Sequence, residues 1–294
     1  MGLLALVSLG GLALDDRILG GVPIWAKPFK FSLSFIAYAL TLAWMLTLLP
    51  GHRARRVGWW AGTVLAATSA GEMVLITLQV VRGKKSHFNN ETPFDTAVFS
   101  TMGLTIVVLW LAALLIAVLL LRTRILDRAT AWAVRLSSLL ALAGAGIGFL
   151  MVRPTPEQLA QDDPPLIGAH SVGVPDGGPG LPLLGWSTTG GDLRAAHFFG
   201  MHALQLIPLL LLLLTALAPR LARLGSPAVR LRLVLVTSGG YAAVFALLTW
   251  QALRGQPLLS PDALTLTLAA GIAVLTLSGT ALALRAPHRP EAPA

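Results

Sequence analysis

The sequence predicts an all-α polytopic transmembrane bundle of about eight spans, or seven if the first is discounted. Three observations predict it. The 294-residue chain is 55% hydrophobic and only 12% charged, with mean hydropathy +0.74. Soluble domains carry about 25% charged residues, so this chain cannot cover its surface in water. Apolar stretches recur at about 20 residues, the length a helix needs to cross the hydrocarbon of a bilayer. Arginines collect in alternate gaps between those stretches.

The first stretch, 2–14, is short and stops at Asp15-Asp16-Arg17. It lacks the basic leader and small-x-small cleavage site of a signal peptide and reads as a short first helix. The remaining spans are expected at 31–50, 58–82, 96–121, 132–152, 196–217, 233–253 and 263–284. Together they form one transmembrane helical domain, 1–294. The gaps holding Arg53, Arg55 and Arg56, Arg122–Arg128, Arg220–Arg232 and Arg285–Arg289 alternate with the others. Basic residues mark the cytoplasmic side, and thirteen lie in or beside these gaps against nine elsewhere. Both termini are then cytoplasmic. All four lysines, Lys27, Lys30, Lys84 and Lys85, fall on the opposite side, where with Arg194 they are expected to attract anions. Net charge is +9; with no aromatic–basic motif for nucleic acid, that balance reads as topology.

Two loops stand out. Residues 15–30 carry Trp25, two prolines and two lysines and read as an interfacial anchor. Residues 153–195 are rich in Gly and Pro and show no periodicity. A loop this long is usually functional or disordered; its apolar patches suggest a partly ordered extracytoplasmic lid. There is no internal repeat of the kind secondary transporters carry. Gly144, Gly146 and Gly148, and Gly239-Gly240, read as small residues that let helices approach closely.

Glu72 sits ten residues inside the span that ends at Arg82, about 15 Å deep at 1.5 Å per residue. An ionisable group there costs about 2.5–3.5 kcal/mol on insertion scales and faces the bundle interior. Gln79 shares its face, and Arg82 and His87 follow. The span at 196–217 brings His197 and His202 in from the same side, His202 at a depth close to that of Glu72. Glu72, Gln79, Arg82, His87, His197 and His202 are therefore the candidate ligand- or proton-binding residues, with Glu72 and His202 expected to share one cavity. His87, His197 and His202 are also the candidate metal ligands. His197 and His202 are five apart, about 140° around a helix, and so do not form one chelating face.

The absence of cysteine excludes disulfides, zinc–thiolate sites and iron–sulfur clusters. No G-x-S-x-G frame or Gly-rich nucleotide loop appears. Three function classes stand. The first is a membrane protein that transports, conducts or binds a small solute or ion. The second is an integral membrane enzyme with a His/Glu metal or haem site acting on a lipid-like substrate. The third is a structural or sensory bundle. The first is favoured, in a lipid bilayer, with a small-molecule or ion partner and without nucleic acid. The segments Trp25-Ala26-Lys27-Pro28-Phe29-Lys30-Phe31 and Ser86-His87-Phe88-Asn89 resemble those of an uncharacterised group of bacterial multi-pass membrane proteins. The resemblance spans about the first hundred residues and implies a bacterial inner membrane, but no activity.

Overall fold

Prolines and capping residues decide where the helices begin. A computed structural model describes residues 1–285; His288, Arg289 and Glu291, placed above on the cytoplasmic side, lie outside the described residues. Helix α1 spans Gly2–Leu14, and a tight antiparallel pair, β1 (Ile18–Leu19) and β2 (Val22–Pro23), follows it. Helix α2 runs Ala26–Thr47. It starts before the expected 31 because Pro28 lies in its first turn, where a missing N–H leaves no bond unmade. Lys27 and Lys30 therefore ride on a helix rather than in a loop.

Helix α3 (Gly51–Arg82) carries the Arg53–Arg56 cluster within its first turns and stops at Gly83, whose φ of 71° suits glycine. Helix α4 (Pro93–Arg122) has Pro at its first position and Thr92 as cap, accepting from the Asp95 N–H at 3.1 Å. Asp127 caps α5 (Arg128–Gly146) through the Thr130 N–H at 2.8 Å, and a further turn, α6 (Gly148–Met151), continues it. A single turn, α7 (Pro156–Leu159), opens the long loop. Then come α8 (Leu193–Leu217), capped by Asp192, α9 (Pro227–Leu253) and α10 (Ala263–Arg285).

Among the described residues, seven helices are long and apolar enough to cross a membrane. Helix α1, with 13 residues and about 20 Å long, falls short of a full crossing. Large apolar side chains such as Leu40, Leu104, Leu209 and Leu275 remain exposed on the flanks, as a lipid-facing surface requires. The protein is thus a multi-pass membrane protein.

Helices α5 and α8 form the central pair, with α9 on both and α10 against α9. Helix α2 packs on α3 and also reaches α8. The α5–α8 contact brings two backbones together. A Cβ on Gly200 would lie 2.5 Å from the Gly144 Cα and 2.7 Å from the Phe245 ring, so neither glycine has room for a side chain. Leu42, Met45, Leu49, Leu65, Ile116, Leu120 and Val134 belong to one apolar cluster that fills the arginine-rich end of the bundle.

The long loop is ordered by main-chain bonds, although it has no sequence period. Strands β3 (Ser171–Val172) and β4 (Gly191–Asp192) pair antiparallel at its two ends. The Ile167 N–H donates to the Phe88 carbonyl at 2.9 Å, Asn90 to Pro165 at 2.8 Å and Ala169 to Met151 at 2.9 Å. Gln158 holds Gly168 at both its N–H (2.8 Å) and its carbonyl (3.0 Å). The segment 153–195 is therefore a lid laid over one end of the helices.

Candidate functional site beneath the lid

Four cationic or anionic anchors hold the lid. Asp192, buried at the start of α8, accepts from Arg194 Nη2 at 2.6 Å, Arg194 Nε at 2.9 Å and the Ser187 N–H at 2.7 Å. Arg194 also donates to the Gly185 carbonyl at 2.6 Å. Lys30 reaches from α2 to the Leu183 and Leu184 carbonyls at 2.7 and 3.1 Å. Asp176 accepts from the His170 ring Nδ1 at 2.7 Å and from the His170 and Ser171 N–H groups. Two of the expected anion-attracting residues, Lys30 and Arg194, are thus engaged in fastening the loop. Lys84 pairs with Glu91 at 2.6 Å on the surface, and Lys85 supplies only its carbonyl, to Gln79 and Asn89.

Under these anchors lies an aromatic cluster. The Phe88 ring stands 4.7 Å from His170, 5.7 Å from Phe99 and 6.2 Å from His87, all edge-on. Phe31 meets His87 at 6.4 Å, and the Lys27 ammonium lies 5.7 Å from the Phe31 ring. The Lys27 side chain makes no hydrogen bond or ion pair among the described residues. From the other side, His197 donates its Nδ1 hydrogen to the Gly144 carbonyl at 2.8 Å, a bond available because α5 ends there. That bond fixes the tautomer and leaves Nε2 as an acceptor; the His170–Asp176 bond does the same for His170.

Glu72 is buried and accepts a hydrogen bond from the Thr105 hydroxyl of α4. His202 does not join it. The His202 Nδ1 donates to Gln205 at 3.2 Å, and the ring packs 4.2 Å from Phe198, which is 42% exposed. Similar depth did not bring the two together: α3 packs chiefly on α4 and α2, and α8 chiefly on α5 and α9. His197 turns toward α5, and His202 sits against the exposed Phe198 ring. The proposed metal set of His87, His197 and His202 is not assembled, and no group of three His, Cys, Asp or Glu among the described residues is placed to hold a metal.

Gln79 and Arg82 serve a different centre. Gln79 donates to Asp95 at 2.8 Å and accepts from Arg82 at 2.5 Å; Arg82 pairs with Asp95 at 2.5 Å and lies over Phe94. Thr92 donates its hydroxyl to the same carboxylate at 2.6 Å. This clasp ties the end of α3 to the start of α4. Asp95 is the partner that sequence reasoning missed, although its place three residues after Thr92 is a capping signature. His170, Asp176 and Thr105 were missed as well. The loop pair has no periodic signal, and nothing singles out Thr105 from Thr96, Ser100 and Thr101 in the same apolar run.

Burial holds the His87 imidazole well below the ordinary 6.5, with Lys27, His170 and His197 acting in the same direction. Burial also lowers His170, more than Asp176 raises it. Burial alone would raise Asp176, but the His170 side chain and the two N–H groups keep it below the usual carboxylate range. The sign follows from linkage. Both imidazoles stay neutral in the folded protein, while the unfolded chain takes up protons below about pH 6.5, so folding stability falls with acidification. The thermal midpoint is expected to drop between pH 7.5 and 5.5, and His87→Phe to flatten that slope, as measured by melting in detergent. No protein-family model, curated protein or solved structure matches the chain.

Proposed function

We propose that this is a bacterial inner-membrane protein that binds a small carboxylate at the aromatic cluster beneath its lid, as a solute-handling rather than a catalytic site. The arginine asymmetry supports a cytoplasmic arginine-rich end and a lid facing out. One observation carries the ligand assignment: among the described residues the Lys27 ammonium makes no hydrogen bond or ion pair, and it stands at the lid end of the bundle near the Phe31 ring and the His87 imidazole. A cation in such surroundings is costly unless an anion joins it. Phe31 and Phe88 offer apolar surface to a short organic body, and the Nε2 atoms of His170 and His197 are left as acceptors for a hydroxyl hydrogen. The apolar cluster packed at the arginine end supports entry of the ligand from the lid side.

The test is thermal shift of the detergent-purified protein with acetate, lactate and benzoate, since a ligand that binds only the folded state raises its midpoint. The wild type is expected to be stabilised by at least one of them. Lys27→Met is expected to lose that response, with affinity down about 100-fold, the scale of removing one member of a buried charge pair. Without ligand, Lys27→Met is expected to melt no lower than wild type, because an unpaired ammonium is exchanged for an apolar chain of similar length. No response in wild type, or an equal response in Lys27→Met, sinks the assignment.

A further inference from the structure

We infer that the arginine-rich end of the bundle holds the phosphate of an anionic phospholipid in a cleft between the start of α3 and the end of α4. This site lies apart from the carboxylate site and does not depend on it. The antiparallel register of the two helices builds it. Gln79 meets Asp95 at 2.8 Å, and farther along Glu72 meets Thr105. Farther still, a Cβ on Gly58 would lie 3.9 Å from the Leu119 Cδ1. One more turn along each helix brings the residues around Arg53 level with Arg122. An open cleft of about 500 Å³ lies here, lined in part by His52, Arg53, Ala54, Val57 and Leu119. A volume of that order suits a small ligand or the head of a larger one.

Charge selects the ligand. Arg53, Arg56 and Arg122 are exposed and make no hydrogen bond or ion pair among the described residues. Arg55 is engaged instead with the Leu49 carbonyl, at 3.0 Å. The two helices offer these arginines no acid at this end. The sequence has no Asp or Glu between Arg17 and Glu72, nor between Asp95 and Asp127, and Asp127 is engaged at Thr130 as the cap of α5. The counter-charge must therefore come from outside the pair. Depth and lining make it a lipid. Trp59 and Trp60, both more than half exposed, stand edge-on 4.7 Å apart. Exposed indoles mark the headgroup level of a bilayer, and Arg53 lies seven residues from Trp60, about 10 Å farther out. The cleft opens where phosphates lie. A free phosphate would use only its charged wall, whereas Val57 and Leu119 offer apolar surface to a chain. A zwitterionic headgroup would bring an ammonium beside Arg53 with no acid to receive it, so a lipid of net negative charge is selected. Topology accounts for arginines at this end; it does not account for a cleft that joins them to an apolar wall.

The experiment is native mass spectrometry of the detergent-purified full chain, titrated with phosphatidylglycerol or with phosphatidylcholine of the same acyl chains, and with inorganic phosphate added in excess as competitor. Wild type is expected to bind phosphatidylglycerol about tenfold more tightly than phosphatidylcholine and to keep it against phosphate. Arg53→Gln and Arg122→Gln are each expected to weaken phosphatidylglycerol about fivefold, the share of one basic residue near an anionic lipid. Both side chains are on the surface, and two separate variants keep the test standing if one fails to fold. Arg232→Gln, which removes an exposed arginine of α9 outside the cleft, is expected to leave binding unchanged. Equal affinity for the two lipids, or no binding of either, overturns the inference. Displacement by inorganic phosphate overturns it in favour of a free-phosphate site. An equal loss in Arg232→Gln overturns it in favour of diffuse surface charge. None of these outcomes bears on the carboxylate site.

Discussion

Asp192→Ala is expected to destabilise the protein by about 3 kcal/mol and to open the lid to protease. Its carboxylate is fully buried, while Arg194 keeps 27% of its side-chain surface. Breaking a buried pair by removing one partner costs about 3–5 kcal/mol, and the water still reaching Arg194 places this one at the low end. Two further losses follow from the same change. The cap of α8 disappears, worth about 1 kcal/mol, and the Ser187 N–H is left buried without an acceptor. Asp192→Asn keeps the cap and separates its share from that of the charge. The measurement is the thermal midpoint together with limited proteolysis across 153–195. A variant that melts like wild type with an uncut loop would show that the Asp192–Arg194 pair does not hold the lid.

Gly144→Val is expected to be as damaging, for a different reason. Its Cβ would fall on the backbone of Gly200 and Met201, and backbone cannot rotate away. The α5 and α8 helices must part, and their long contact is the centre of the bundle. Between lipid-embedded helices, close packing rather than water exclusion supplies the attraction, so the separation is uncompensated. Overpacking of this kind costs about 3 kcal/mol, to which the His197–Gly144 hydrogen bond is added. The expected outcome is loss of monodisperse protein on gel filtration. Gly146→Val, two residues on and facing away from α8 with open space around its Cβ, is the control expected to fold.

The helices were legible because lipid imposes a length: each run of about 20 apolar residues is a helix at the expected place. Their first turns were not, since polar residues there belong equally to a loop. Pro28 and the charged Lys27 and Lys30 read as an anchor, yet α2 begins at Ala26 and carries both lysines on its first turns. That shift hid the cluster of Lys27, Phe31, His87 and Phe88. Depth along a helix could be counted for Glu72 and His202, but counting gives height and not azimuth or neighbourhood. Thr105, the group that meets Glu72, lies in the most apolar span, where it is one of four hydroxyl side chains and no pattern marks it out. The lid was legible as a long segment with apolar patches. Its fastening was not, because the bonds join residues such as Gln158 to Gly168 and Phe88 to Ile167 through main-chain atoms that any side chain supplies.

Lys30 and Arg194 grip the carbonyls of Leu183, Leu184 and Gly185 and touch no side chain of that turn to do so. The grip is blind to residue identity and sensitive to spacing. Point replacements at Leu183 and Leu184 should therefore be tolerated in a saturation library, whereas deleting one residue between Pro179 and Ser187 should not, because it would carry all three acceptors out of register at once.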